Sequence, residues 1–278
     1  TPFDAWLDAF LKHLFSRRPV DATFAGRNEY NDRLPDVTPA GLRATRDEIE
    51  ELLSQLATVE RSRLDRYQLI DHDLAEGYLR TQLWERTSGY FFEFNPTTYT
   101  GEAAFGPVSL FVSDFRPVGE KTAALESRLQ AIPAFLEAAR GNLTAAPVAW
   151  TERAIEECTG AINFLTRGIP ILKEDEGLTV NDRLVETATA SFKAFQAFLD
   201  TDLRSRPIES VGCGGETFRD VMRWSHQSSV DPLEYATHAE SVIDECDRLL
   251  TDGAAEFGAD SPEAALARLA EDHPTTEA

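Results

Sequence analysis

Glu209–Glu240, ESVGCGGETFRDVMRWSHQSSVDPLEYATHAE, gathers more reactive residue types than any other stretch of the chain. It holds Cys213 between glycines, the histidines His226 and His238, and several acids. Zinc chemistry would need three or four ligands converging within about 2.0–2.3 Å. Glu234 and His238, four residues apart, share a helical face, whereas His238 and Glu240, two apart, do not. An acid–histidine pair of that spacing is common on a solvated helix, so the plain surface reading is favoured. The Glu-x-x-His pattern of di-iron bundles is absent. His13, His72 and His226 stand on separate predicted helices, and only their residue type supports a three-histidine centre. Cys213 precedes a predicted helix, where a thiolate is favoured, but no nucleophile signature surrounds it. GCGG lacks the lysine and hydroxyl of a phosphate loop and the third glycine of a dinucleotide fold. A tight turn between helices is the favoured reading of those glycines. His226, at the end of a short predicted helix, is suited to the exposed carbonyls there or to the edge of a cleft.

A second candidate is Tyr90–Tyr99. Tyr90, Phe91, Phe92, Phe94 and Tyr99 would either line a pocket for an apolar side chain or plug the space between helical layers, and the plug is favoured. Arg116, beside Asp114 at a predicted helix start, would bind a substrate carboxylate or pair with a neighbouring acid, and pairing is favoured. His226, Tyr99 and Arg116 are the candidate cleft-lining residues. No residue is assigned a catalytic or metal-binding role.

The elements that would position these residues are helices. Phe3, Trp6, Leu7, Phe10, Leu11 and Leu14 fall on one stripe of an opening helix. Pro19 begins a short helix (19–25) ending at Gly26. Thr38 caps the next, with Pro39 in its first position. Ser62 is read as the cap of a helix reaching about Arg86, with Leu69, Leu74, Leu79 and Leu83 inward. Gly89–Thr98 lacks helical periodicity and reads as an irregular segment or short strand. Helix resumes at Glu102–Val112, and Asp114 and Pro117 mark a boundary. The following helix, reaching Leu143, contains Pro133 and is expected to kink there. Pro147 opens another, and Thr179–Arg204 is a further helix. Glu216–Trp224, a helix capped by Asp231-Pro232 and running to about Leu250, and one from Ser261-Pro262 complete the set, before a frayed end at DHPTTEA. The expected fold is all-α, a multi-helix bundle-like array with at most a small β-hairpin or irregular aromatic segment, forming one helical domain over 1–278.

A chain of 278 residues can bury a large core. Its 48 acidic and 27 basic residues give a net charge of −21. That disfavours nucleic acid, which requires a basic footprint, and an anionic membrane surface. Lys12, Lys121, Lys173 and Lys193 are its only lysines, an arginine-heavy usage that reports genome composition rather than function. Cys158, Cys213 and Cys246 give neither a disulfide framework nor a zinc pattern, so a reducing, cytoplasmic setting is expected. The first residue is Thr rather than Met, which leaves room for a removed start or signal peptide.

In order, FDAWLDAFL, RRPVDATFAG, NDRLPDVTPAGL, DRYQLIDHDL, FEFNPTTY, DFRPVGEKTAALESRLQAIPAFLEAARGNL and GGETFRDVMRWSHQSSVDPLEYATHAESVIDE resemble the N-terminal half of a bacterial family known as domain of unknown function 885. The resemblance covers nearly the whole chain. It implies the helical part of a longer, two-part protein grouped with zinc-dependent peptidases. The family's His-Glu motif lies in its C-terminal half, and no His-Glu dipeptide occurs here. The resemblance therefore implies zinc only in that other half, and a chain that walls one side of a cleft for a peptide-like substrate without carrying the catalytic groups. Its expected partner is the missing half or a second copy of itself, through exposed apolar surface. The alternative is a non-catalytic helical interaction module.

Overall fold

Two turn-starting signals in the sequence explain where the helices begin. Pro locks φ near the helical value and needs no N–H at the first position, and a short polar side chain before it satisfies an orphan donor. In the computed structural model, which describes residues 2–113, 116–209 and 212–271, Thr38 accepts from the Gly41 N–H and Asp231 from the Leu233 N–H, each just before a proline. The helices are α1 (Pro2–Arg17), α2 (Pro19–Phe24), α3 (Pro39–Leu56), α4 (Arg66–Thr87), α5 (Thr97–Val112), α6 (Val118–Asn142), α7 (Val148–Asn163), α8 (Ile169–Asp175), α9 (Asp182–Thr201), α10 (Gly215–His226), α11 (Pro232–Glu256) and α12 (Pro262–Glu271). A π-helical turn at Phe164–Gly168 joins α7 to α8. The fold is all-α. Among the described residues β-structure amounts to one isolated bridge, Ala146 to Pro207.

Three local expectations need correction. Asp65, not Ser62, caps α4, because Gln68 completes a reciprocal capping box with it. The inward face of α4 runs through His72, Ala75, Leu79 and Gln82, which turns Leu74 outward to 53% exposure. Residues 89–94 form turns, the irregular one of the two readings, while α5 starts at Thr97, before the expected Glu102. The helix expected to contain Pro133 is α6, with the proline inside its span. Asp114 and the stretch 272–278 lie outside the described residues.

The chain divides into two compact units, Thr1–Gly212 and Cys213–Ala278. In the first, Phe3, Trp6 and Phe10 of α1 stack on one another and join Ile49, Leu52 and Leu56 of α3 and Leu79 of α4 in one core. Trp6 Nε1 donates to the Leu52 carbonyl at 3.1 Å. A second core is built from Leu110, Leu125, Leu129, Ile132, Phe192 and Leu199, with their neighbours on α5, α6, α7 and α9. The second unit consists of α10–α12, with a small core at Ala254, Ala259 and Ala265. Its glycine-rich entry uses Gly214 at φ +82°, which a side chain would strain.

One polar residue ties the first unit together. Arg128 of α6 is fully buried. Its Nε donates to the Arg33 carbonyl at 3.2 Å, its Nη1 to the Gly106 carbonyl and to Ser109 Oγ at 2.9 Å, and its Nη2 to the Pro19 carbonyl at 3.2 Å and Thr23 Oγ1 at 2.7 Å. Gly106 makes room for Leu34: a Cβ there would stand 2.6 Å from Leu34 Cδ2, and at an ordinary 3.8 Å from Arg128 Cδ. Each buried acceptor left unsatisfied costs roughly 1–3 kcal/mol. Arg128→Met should therefore lower stability by about 3–5 kcal/mol, a fall of roughly 6–20 °C in melting temperature for a unit of this size. Arg128→Lys should restore little of it, because one ammonium cannot reach acceptors fanned around a planar guanidinium. Urea unfolding that finds either variant within about 1 kcal/mol of the wild type would remove Arg128 from this role.

Candidate functional site

The sequence RRP at 17–19 places two arginines at the junction of α1 and α2, and the structure sends them to different helices. Arg17 pairs with Glu48 of α3, Nε to Oε2 at 2.9 Å. His13 shares that carboxylate at 2.9 Å, and burial holds its pKa below the ordinary histidine value despite the bond. Arg18 reaches α4, with Nη2 2.8 Å from Glu85 Oε2 and Nε 3.2 Å from Gln82 Oε1. Gln82 Nε2 completes the set by donating to Glu85 at 2.6 Å. Burial raises the Glu85 pKa against the pull of Arg18 and Arg86.

Arg17, Arg18 and Glu85 line a cavity of about 340 Å³ within the first unit, formed by the α1–α2 junction, the 35–37 loop with Thr45 of α3, α4, the 91–92 turn and α5. Its apolar wall includes Val20, Val37, Phe91 and Phe92, with half-exposed Phe24 and Phe105 also lining it. Two charged residues in the lining differ from the rest. Arg86 Nε and Glu102 Oε2 are withdrawn from solvent without a hydrogen-bond partner. The Arg86 guanidinium lies over the Phe92 ring at 5.0 Å. Burial, then repulsion from Arg18, brings its pKa down to about 10. Burial, then Asp21, raises Glu102 to about 7, although Arg18, Arg128 and Arg86 oppose the shift. A cation and an acid that face one space and are not bonded to each other form a polar site inside an apolar wall, the general character of a small-molecule pocket.

The candidate residues from the sequence fall in different places. Tyr99 is in the core at 0% exposure. Its hydroxyl donates to the Phe92 carbonyl at 2.7 Å and accepts from Asn142 Nδ2 at 3.2 Å, and burial raises its pKa. It supports the cavity wall from behind rather than lining it. Phe91 and Phe92 line it, so the aromatic segment serves as both plug and pocket. Arg116 lines a separate open hollow that shares Phe24 with the cavity. His226, the exposed last residue of α10, belongs to the second unit. Glu234 and His238 are exposed on α11. Arg18, Arg86 and Glu102 were not singled out from the sequence. Glu102 had a signal: it is the one charged residue in the sixteen of α5.

The zinc implied by the resemblance does not fit the donors here. Among the described residues one group brings three together, His72, Asp73 and Glu76, within 4.8 Å of one another. Its sole nitrogen ligand is His72, and the Arg61 guanidinium already stands there. Arg61 Nη1 is 2.8 Å from His72 Nδ1, and the guanidinium pairs with Asp73. A metal ion would have to displace a cation that the carboxylate already binds.

The sequence model of a family described as "Bacterial protein of unknown function (DUF885)" matches residues 19–278. The chain belongs to that family. A solved structure from Shewanella oneidensis, described as "a putative lipoprotein of unknown function", superposes with a TM-score of 0.74 at 20% identity. The alignment covers 92% of this chain and 48% of that one, so the present chain spans about half the length of its neighbour. At that identity the likeness concerns the fold. No curated protein matches the chain. No helix among the described residues is long and apolar enough to cross a membrane.

The raised Glu102 pKa has a sign that can be measured. From its ordinary value of 4.5 up to about 7, the folded protein keeps a proton that the unfolded chain has released. Stability must then fall as pH rises through that window, by about 1.4 kcal/mol per unit and roughly 3 kcal/mol in all, and level off above it. Glu102→Gln should match the wild type near pH 4.5 and exceed it by about 3 kcal/mol at pH 8. Parallel stability–pH curves for the two proteins would show that Glu102 is not desolvated.

Proposed function

We propose that this chain is the helical, substrate-facing part of a zinc-metallopeptidase-like hydrolase, and that its cavity forms one wall of the substrate cleft. The hydrolytic groups come from a segment or chain other than these 278 residues. Membership of the DUF885 family and the two-part organisation implied by the resemblance support this reading. The observation that carries it is the cavity itself: apolar side chains beside an unpartnered donor on Arg86 and an unpartnered acceptor on Glu102. A peptide offers the matching set, an apolar side chain together with hydrogen-bonding groups of both kinds. The chain's own part is to bind and orient such a ligand and to keep water from its apolar portion.

A second reading, a non-catalytic interaction module, is favoured by the exposed apolar side chains of α11, among them Leu233, Ile243, Leu249 and Leu250. The two readings differ in what small ligands do. Short peptides with apolar residues should raise the melting temperature of the purified chain in proportion to their concentration, and the chain alone, with zinc added, should cleave none of them. Turnover by the chain alone would place the hydrolytic groups inside it. A melting temperature unmoved by every peptide would leave the interaction module.

A further inference from the structure

The cavity is more selective than a general peptide groove. Its volume of about 340 Å³ is near the lower end of small-molecule sites, roughly 300–1,000 Å³, so it suits a ligand of one or two residues. Its arginines are not equivalent. Arg17 is taken by Glu48, and Arg18 by Gln82 and Glu85. Arg86 differs: its Nε has no hydrogen-bond partner, and its guanidinium lies over the Phe92 ring. The acids divide in the same way: Glu85 is held by Arg18 and Gln82, whereas Glu102 Oε2 has no partner. Burying one unpaired charge is costly, and a buried pair that loses one partner is left with a charge that nothing compensates. A ligand with only a negative group would satisfy Arg86 and leave Glu102 stranded. One with only a positive group would do the reverse.

Resting on the reading of the cavity as a ligand site, we infer that its ligand is a small zwitterion of the α-amino-acid type, a free amino acid or dipeptide with a bulky apolar side chain. Its carboxylate lies on Arg86, its ammonium on Glu102, and its side chain against Phe91, Phe92 and Phe105. A guanidinium edge receives a carboxylate through parallel hydrogen bonds, and the aromatic wall excludes water from the pair. Asp21 on α2, Arg18 before it, Arg86 on α4 and Arg128 on α6 act on Glu102 together. An ammonium arriving there draws the carboxyl to its charged form, so binding releases a proton near neutral pH.

Calorimetry on the 278-residue chain tests this with five probes: L-phenylalanine, phenylalanyl-alanine, phenethylamine, 3-phenylpropionate and N-acetyl-phenylalaninamide. The two zwitterions should bind at least about tenfold more tightly than the three others, a difference of about 1.4 kcal/mol. Glu102→Gln should reduce phenylalanine to the affinity of 3-phenylpropionate, and Arg86→Met should reduce it to that of phenethylamine. The heat of binding should vary with buffer ionisation in the wild type and not in Glu102→Gln. Glu102→Gln removes a buried charge and keeps the fold, so the test stands even where Arg86→Met fails to fold. Equal binding of N-acetyl-phenylalaninamide and the zwitterions would overturn the zwitterion assignment and leave the cavity a peptide site. No binding of any probe would overturn both.

Discussion

A buried guanidinium holds the first unit in register. Arg128 is taken out of water entirely, and such a charge is tolerable only where acceptors surround it. The acceptors come from α2, from the loop before α3, and from α5. Those same segments carry Asp21 and Phe24, Pro35 and Asp36, and Glu102 and Phe105, which line the cavity. Arg128 lies outside the lining yet fixes the distance between its walls. Thr23 extends the network, since its hydroxyl accepts from Arg128 and donates to Asn31 Oδ1 at 2.7 Å. The cavity walls contributed by α2, the loop before α3 and α5 are therefore tied together from within the protein.

Charge in the cavity follows burial rather than the sum of neighbouring signs. Three arginines act on Glu102 in the direction of ionisation, and burial with Asp21 outweighs them. Arg86 shows the mirror case, where burial and Arg18 outweigh Glu85. Glu102 is thereby brought to titrate at about 7, while Arg86, lowered to about 10, stays charged at neutral pH. A surface ion pair contributes little in water; the same groups in a shielded space interact strongly with whatever reaches them. The net charge of −21 gives no hint of this, because it is a property of the solvated exterior.

How much of this could be read in the sequence depended on whether the cause was local. Thr38-Pro39 and Asp231-Pro232 announce helix starts because the cap and the proline act within a few residues. The α4 start was misplaced because Ser62 and Asp65 are both good caps, and only the reciprocal bond from Gln68 separates them. Arg128 sits between Leu125 and Leu129 on a stripe continued by Ile132, a charge on an apolar face and so a legible oddity. What it binds was not legible. Arg18 finds Gln82 and Glu85 across more than sixty residues, and nothing in the local pattern sets that register. Tyr99 could be assigned to pocket or plug on composition alone; its helical phase, with Ala103 and Leu110 also inward, put it in the core.

The separation of the Arg128 partners along the chain also bears on the order of assembly. Its bonds to Pro19, Thr23 and Arg33 close loops of 109, 105 and 95 residues, whereas Trp6 and Leu52 are only 46 apart. Loop closure becomes entropically harder with length, and contacts of long range are made late. The core of α1, α3 and α4 can form from the first ninety or so residues, within the elements ending at Thr87. The clamp behind the cavity must wait for α6. During synthesis the ribosome thus releases the aromatic and charged walls well before the residue that sets their spacing, and the pocket acquires its final shape only when that late guanidinium docks.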